Sequence, residues 1–274
     1  MLPIIYAEVP CVVAEGPRWN AEDQTLYWVD VTGGKYLRHH EGDPVSKVDV
    51  VDPGRGMIGA LACTGPGRVR LFTSECQVWD CAFGAKPVLR WTLEGHAGRR
   101  FNDVWVDAGN TFCGVAREPD RPGELWLLRD GRFTCIEPAT RGMPNGMGVS
   151  PDGATFYFVV SDERKLYAYD YARATGKLSN RRVLCEDFAA PGVPDGMTVD
   201  PADGTLWVAI WDGARLEHRA ADGRLLETIP FPMKKVTSVE VVGNRLFVTT
   251  GNKEADAPAY FARTKAGSVF EIRK

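Results

Sequence analysis

Residues Pro144–Phe158 read PNGMGVSPDGATFYF, and Pro194–Val208 read PDGMTVDPADGTLWV. The second stretch starts 50 residues after the first and repeats its plan: proline, Asn or Asp, Gly-Met, a Pro/Asp/Gly turn, then a short aromatic run. Self-similarity at a period of 20–50 residues marks a repeat architecture. The plan's second half recurs in six places, as TLYWV from Thr25, VRLF from Val69, TFCGV from Thr111, TFYFV from Thr155, TLWVA from Thr205 and RLFVT from Arg245. With Leu26, Val69, Phe112, Phe156, Leu206 and Leu246 as register marks, the spacings are 43, 43, 44, 50 and 40 residues.

A second apolar run follows each first one: KYLRHH, CQVWDCA, GELWLL, KLYAYDY, ARLEHR and GSVFEIR. The last comes late, after an insertion near Asn252 to Lys265. Short β-branched and aromatic runs bounded by Gly, Pro, Asn and Asp are strand and hairpin chemistry. Six such units predict an all-β fold, a six-bladed β-propeller of four-stranded antiparallel blades around a central channel. The expectation is one domain over residues 1–274, closed by pairing of GSVFEIR with the N-terminal IIYAEV in one blade.

Composition narrows the function classes. The chain is 44% hydrophobic and 25% charged, with a net charge of −3 and no basic run, which argues against nucleic-acid and membrane partners. No segment approaches the ~20 apolar residues of a membrane span. The opening MLPIIYAEVPCVVAEGP is too broken by proline for a signal peptide. Seven cysteines without a CxxC pair suggest buried thiols in a reducing, cytoplasmic compartment. Four histidines show no metal-binding spacing, and neither a GxSxG elbow nor a strand–GxGxxG–helix context is present.

Polar residues recur in phase with the repeat. Eleven residues before Leu26, Phe156 and Leu206 stand Glu15, Asn145 and Asp195, each followed by glycine. In a propeller, equivalent positions on the innermost strands converge on the axis. Two carboxylates and an amide make an all-oxygen set suited to Ca²⁺, Mg²⁺ or Mn²⁺, with Zn²⁺ accessible through the carboxylates. Three protein ligands leave room for water and substrate. Arg100 and Asn102, in RRFND, lie close to the same phase in the third unit and can reach the channel mouth; Asp103 can brace that loop or the ligand set. Trp211 can wall a pocket or pack between blades.

At these residues the chain resembles the gluconolactonase and regucalcin (senescence-marker-protein) family. AEGPRW, RFND, PNGMGVSPDG, PDGMTVDPADGTLWVA and GSVFEI carry the likeness, which spans nearly the whole sequence. The resemblance implies a single axial divalent metal and hydrolysis of a sugar lactone to the aldonic acid. It also implies Glu15, Asn145 and Asp195 as metal ligands, with Arg100 and Asn102 on the substrate. For a further acidic substrate contact on a loop of the third blade, Glu118 in GVAREPDRP is the nearest candidate. Two departures bear on the substrate: Val104 follows RFND, and WDGARL stands at Trp211–Leu216.

The expected chemistry is attack of water on a metal-polarised ester carbonyl, with Asp195 as general base and proton return to the ring oxygen. Two other functions fit the same features: metal-dependent hydrolysis of phosphotriesters, and metal or ligand binding without catalysis, since a fold does not fix a function.

Overall fold

A computed structural model describes residues 2–274, and among these the strands form six four-stranded antiparallel sheets. Five sheets are sequential meanders: blade 1 (residues 14–51), blade 2 (58–92), blade 3 (101–140), blade 4 (144–185) and blade 5 (193–230). Blade 6 takes three strands from residues 235–273 and its outermost from Ile4–Ala7. Ile5 pairs with Phe270 and Ile4 with Glu271, so the last strand is held by the first. This closure joins the two ends of the chain in one sheet and completes the ring.

The apolar runs of the sequence are the second and third strands of each blade. Their residues are buried because blades pack face to face: every residue of Thr25–Asp30 is buried, as is every residue of Asn110–Val115. The register marks themselves meet across blades. Phe112 of blade 3 and Phe156 of blade 4 pack with ring centres 4.3 Å apart in a core that includes Met147, Phe158 and Tyr171. Burying such a ring contributes about 1.5–3 kcal/mol, so the repeat is maintained by packing between neighbours. Outer strands such as Leu225–Pro230 are mostly exposed. The insertion before the final strand holds an eight-residue helix, Ala257–Thr264.

The six inner strands are Ala14–Asn20, Ile58–Gly65, Phe101–Asp107, Pro144–Val149, Val193–Val199 and Lys235–Val242. They neighbour one another in that order and return to the first, which defines the axis. Each slips register against its second strand near its N-terminal end: between Glu15 and Arg18, Ile58 and Ala60, Phe101 and Val104, Pro144 and Met147, Pro194 and Met197, and Val236 and Ser238. A β-bulge bends the strand and re-aims the side chain beside it. The candidate ligands therefore sit where regular pairing stops.

The glycines after Asn145 and Asp195 are strand residues, where turn chemistry is the ordinary reading of Asn-Gly and Asp-Gly. Their role is close approach between blades. A Cβ at Gly146 would lie 2.4 Å from Met197 N, and one at Gly196 would lie 2.8 Å from Thr237 O. Adjacent inner strands could not come this near with any other residue there.

Candidate functional site

The bulged ends open into a cavity of about 430 Å³. Glu15 (blade 1), Asn145 (blade 4) and Asp195 (blade 5) all line it, with Arg100, Asn102, Glu118 and Trp211. Its volume falls in the usual range for small-molecule sites. The sequence expectations thus meet in one place, although Glu15 and Asp195 are 180 residues apart in the chain.

Asn145 and Asp195 are each only 6% exposed. Asn145 donates through Nδ2 to Ser161 Oγ at 3.1 Å, which orients the amide and leaves its carbonyl oxygen without a protein donor. Glu15 accepts a single hydrogen bond, from the backbone N–H of Gly16 at 2.9 Å. No ion pair neutralises either carboxylate among the described residues. Burial holds the Glu15 carboxyl well above the usual range, with the charges of Asp195 and Asp103 acting the same way. Burial likewise raises Asp195, with Asp103 next; the Asn145 amide works against the shift. Buried carboxylates without a cationic partner are costly. A bound divalent cation would remove that cost, and the oxygen-only donor set suits a hard ion. No cluster of three or more His, Cys, Asp or Glu side chains suited to a metal occurs among the described residues; the candidate set here is two carboxylates and an amide oxygen. Glu15, Asn145 and Asp195 fit an open site that leaves positions for water and substrate.

The motif RRFND divides its labour between neighbours. Arg99 is 4% exposed and is spent on structure: it pairs with Glu124 and donates to Ala116 O at 2.9 Å. Arg100 turns into the cavity and pairs with no carboxylate among the described residues. Burial lowers its guanidinium pKa, while Glu15 and, more weakly, Asp195 oppose that. Arg100 Nη1 donates to Asn102 Oδ1 at 2.8 Å and to Phe101 O at 3.0 Å. Asn102 Nδ2 in turn donates to Pro144 O at 2.8 Å, across to the next inner strand. Asn102 lines the cavity, yet both ends of its amide are engaged within the protein. Glu118 lies on the loop after the second strand of blade 3, half-buried and paired with Arg121.

Two features, the contacts of Ser161 and of Arg18, were beyond sequence reasoning, while Asp103 was expected to brace its loop or the ligand set. Ser161 steers Asn145 from the far end of the second strand in the same blade. Asp103, 8% exposed, lies close enough to bias both acids, and its Oδ1 accepts from Val104 N at 2.7 Å. Further along the inner strands, Arg18 pairs with Glu240 at 3.5 Å, donates to Val104 O at 3.0 Å and lies 5.5 Å from the Trp105 ring centre.

A family model described as the SMP-30/Gluconolactonase/LRE-like region matches residues 13–252. The chain is 35% identical over 257 residues to pentonolactonase XacC of Haloferax volcanii, covering 92% of this chain and 86% of that one. It is 29% identical to regucalcin of Gallus gallus over 284 residues, covering 95% and 90%. Among solved structures, a calcium-binding regucalcin from Agrobacterium tumefaciens superposes with a TM-score of 0.88 at 23% identity, over 99% of this chain and 93% of that one. That last likeness speaks to the fold.

Proposed function

The chain belongs to the SMP-30/gluconolactonase/LRE-like family, and on that premise we propose that it hydrolyses a sugar lactone to its aldonic acid, using a divalent cation held by Glu15, Asn145 and Asp195. The observation that carries this reading is one buried and one half-buried carboxylate, neither paired with a cation, and a free amide oxygen lining one cavity. The match to a pentonolactonase over most of both chains supports the substrate class.

A divalent ion at these residues supplies Lewis acidity toward the ester carbonyl and the attacking water. The chain's own groups do the rest. Glu15 and the Asn145 carbonyl hold position, with Ser161 fixing the amide. Asp195 accepts a proton from water as the water oxygen bonds to the lactone carbonyl carbon. The ring C–O bond then breaks, and the departing ring oxygen takes that proton as a hydroxyl. Arg100 orients the substrate by donating to its oxygens, and Asn102 keeps the guanidinium in place. Glu118 stands at the cavity edge as an acceptor for substrate hydroxyls.

The test is acid release, followed with a pH indicator, across pentono- and hexonolactones and a set of phosphotriesters, with Ca²⁺, Zn²⁺, Mg²⁺ and Mn²⁺ in turn. Metal-stimulated opening of lactones is expected. Turnover of phosphotriesters alone would replace the reading, and metal binding with no hydrolysis of either set would make the protein a binding propeller.

A further inference from the structure

The charged side chains lining the cavity are unequally satisfied. Arg117 is tied to Asp162, with Nε 2.9 Å from Oδ2, and Glu118 is tied to Arg121. Two cations, Arg100 and Lys253, line the cavity and have no carboxylate partner among the described residues. Arg100 precedes the inner strand of blade 3, and Lys253 follows the second strand of blade 6, Arg245–Gly251. Blades three apart in a ring of six face each other across the axis.

The backbone on both sides of Lys253 is anchored. Asn252 N donates to Val12 O at 2.9 Å, and Asn252 Nδ2 to Ala257 O at 3.0 Å. Glu254 on the other side is bound by Lys235 Nζ at 2.5 Å, and Lys235 also reaches Asp212 Oδ1 at 2.9 Å. Lys234 N donates to Tyr260 Oη at 2.9 Å, which ties the insertion's helix to the same blade. Lys235 is thus neutralised twice, and its ammonium lies 5.3 Å from the ring centre of Trp211, another wall residue. Lys253 alone of this group is left to the cavity and to solvent.

We propose that Lys253 is a specificity residue for an anionic group on the end of the lactone remote from its carbonyl. The preferred substrate class is then an aldonolactone with a terminal phosphate or carboxylate. The inference rests on the lactonase reading and follows from where charge can be accepted. The carbonyl must lie by Glu15, Asn145 and Asp195 and the cation they hold, at the inner-strand ends. The end of the lactone remote from the carbonyl then points to the exposed rim, where the uncommitted Lys253 ammonium, on the loop after the second strand of blade 6, can form a charge-assisted hydrogen bond with a terminal anion. Lysine, a point charge on a flexible stem, suits either anion.

The experiment compares kcat/KM for D-glucono-1,5-lactone, its 6-phosphate and the corresponding C6-carboxylate lactone, using metal-loaded protein. Wild type should favour at least one anionic lactone by about tenfold, the size of one charge-assisted contact. Lys253→Met should remove that preference through KM, Lys253→Arg should keep it, and Lys253→Glu should reverse it. The anion that is favoured identifies the group bound. No anionic preference in wild type, or a preference that survives in Lys253→Met, overturns the inference while leaving the lactonase reading intact. No acid release from any of the three overturns both.

Discussion

Arg100 Nη1 lies 2.8 Å from Asn102 Oδ1, and the other end of the Asn102 amide is bonded to Pro144 O at 2.8 Å. Asn102 therefore links the candidate substrate arginine to the neighbouring blade, and its role is more positioning than contact. Asn102→Ala should raise KM about tenfold with a smaller fall in kcat, and Asn102→Asp should recover part of the loss by holding Arg100 through charge. Steady-state kinetics on the best lactone decide it. An unchanged KM would show that Arg100 needs no support.

Asp195 has the most specific chemical assignment. Asp195→Asn should lower kcat by about 10²–10⁴-fold, the usual loss for a general base, with little change in far-ultraviolet circular dichroism. Near-normal turnover with metal present would remove Asp195 from that role.

The same acids should be a liability when the cation is taken away. Both carboxyls are held above their ordinary values by burial, with Asp195 and Asp103 adding repulsion at Glu15 and Asp103 adding it at Asp195. A carboxyl with a raised folded-state pKa binds more protons folded than unfolded. Its contribution to stability therefore falls as pH rises from the unfolded value, near 4.5 for Glu, through the folded one, and the penalty is complete above that. The chelated protein should accordingly gain stability from Glu15→Gln at pH 7, by about 1–3 kcal/mol, and much less near pH 4. Thermal melts of both proteins at the two pH values, in chelator, measure it. Equal melting at pH 7 would mean that the charge is not buried at a cost.

Away from the axis, Arg219 should matter to stability alone. It is 1% exposed, bonds both Glu217 and Asp187, and donates to Gly223 O at 2.7 Å. Arg219→Met leaves Glu217, also 1% exposed, with only Arg215 as a cation partner. A loss of about 3–5 kcal/mol is expected in denaturant unfolding, with KM unchanged.

The sequence was most legible where the fold repeats a physical requirement. Second and third strands must be apolar because blades cover them, so all six pairs of runs stood out, including GSVFEIR with its N-terminal partner. Outer strands such as Leu225–Pro230 face solvent and carry no such pattern. Phase located the candidate ligands because bulges recur at one level of every inner strand. Phase alone does not assign a role: eleven residues before Leu246 stands Lys235, which is engaged by Asp212 and Glu254. Asp103 was legible as a brace, but Ser161 and Lys253 were not, because only the ring assembles the cavity they line.

The account depends most on one cation shared by Glu15, Asn145 and Asp195. The direct measurement is lactone hydrolysis by exhaustively chelated protein, before and during titration with a divalent ion. Activity should vanish on chelation and return to a plateau at one equivalent, with no return in Asn145→Ala at the same ion concentration. Full turnover in the metal-free protein would contradict it.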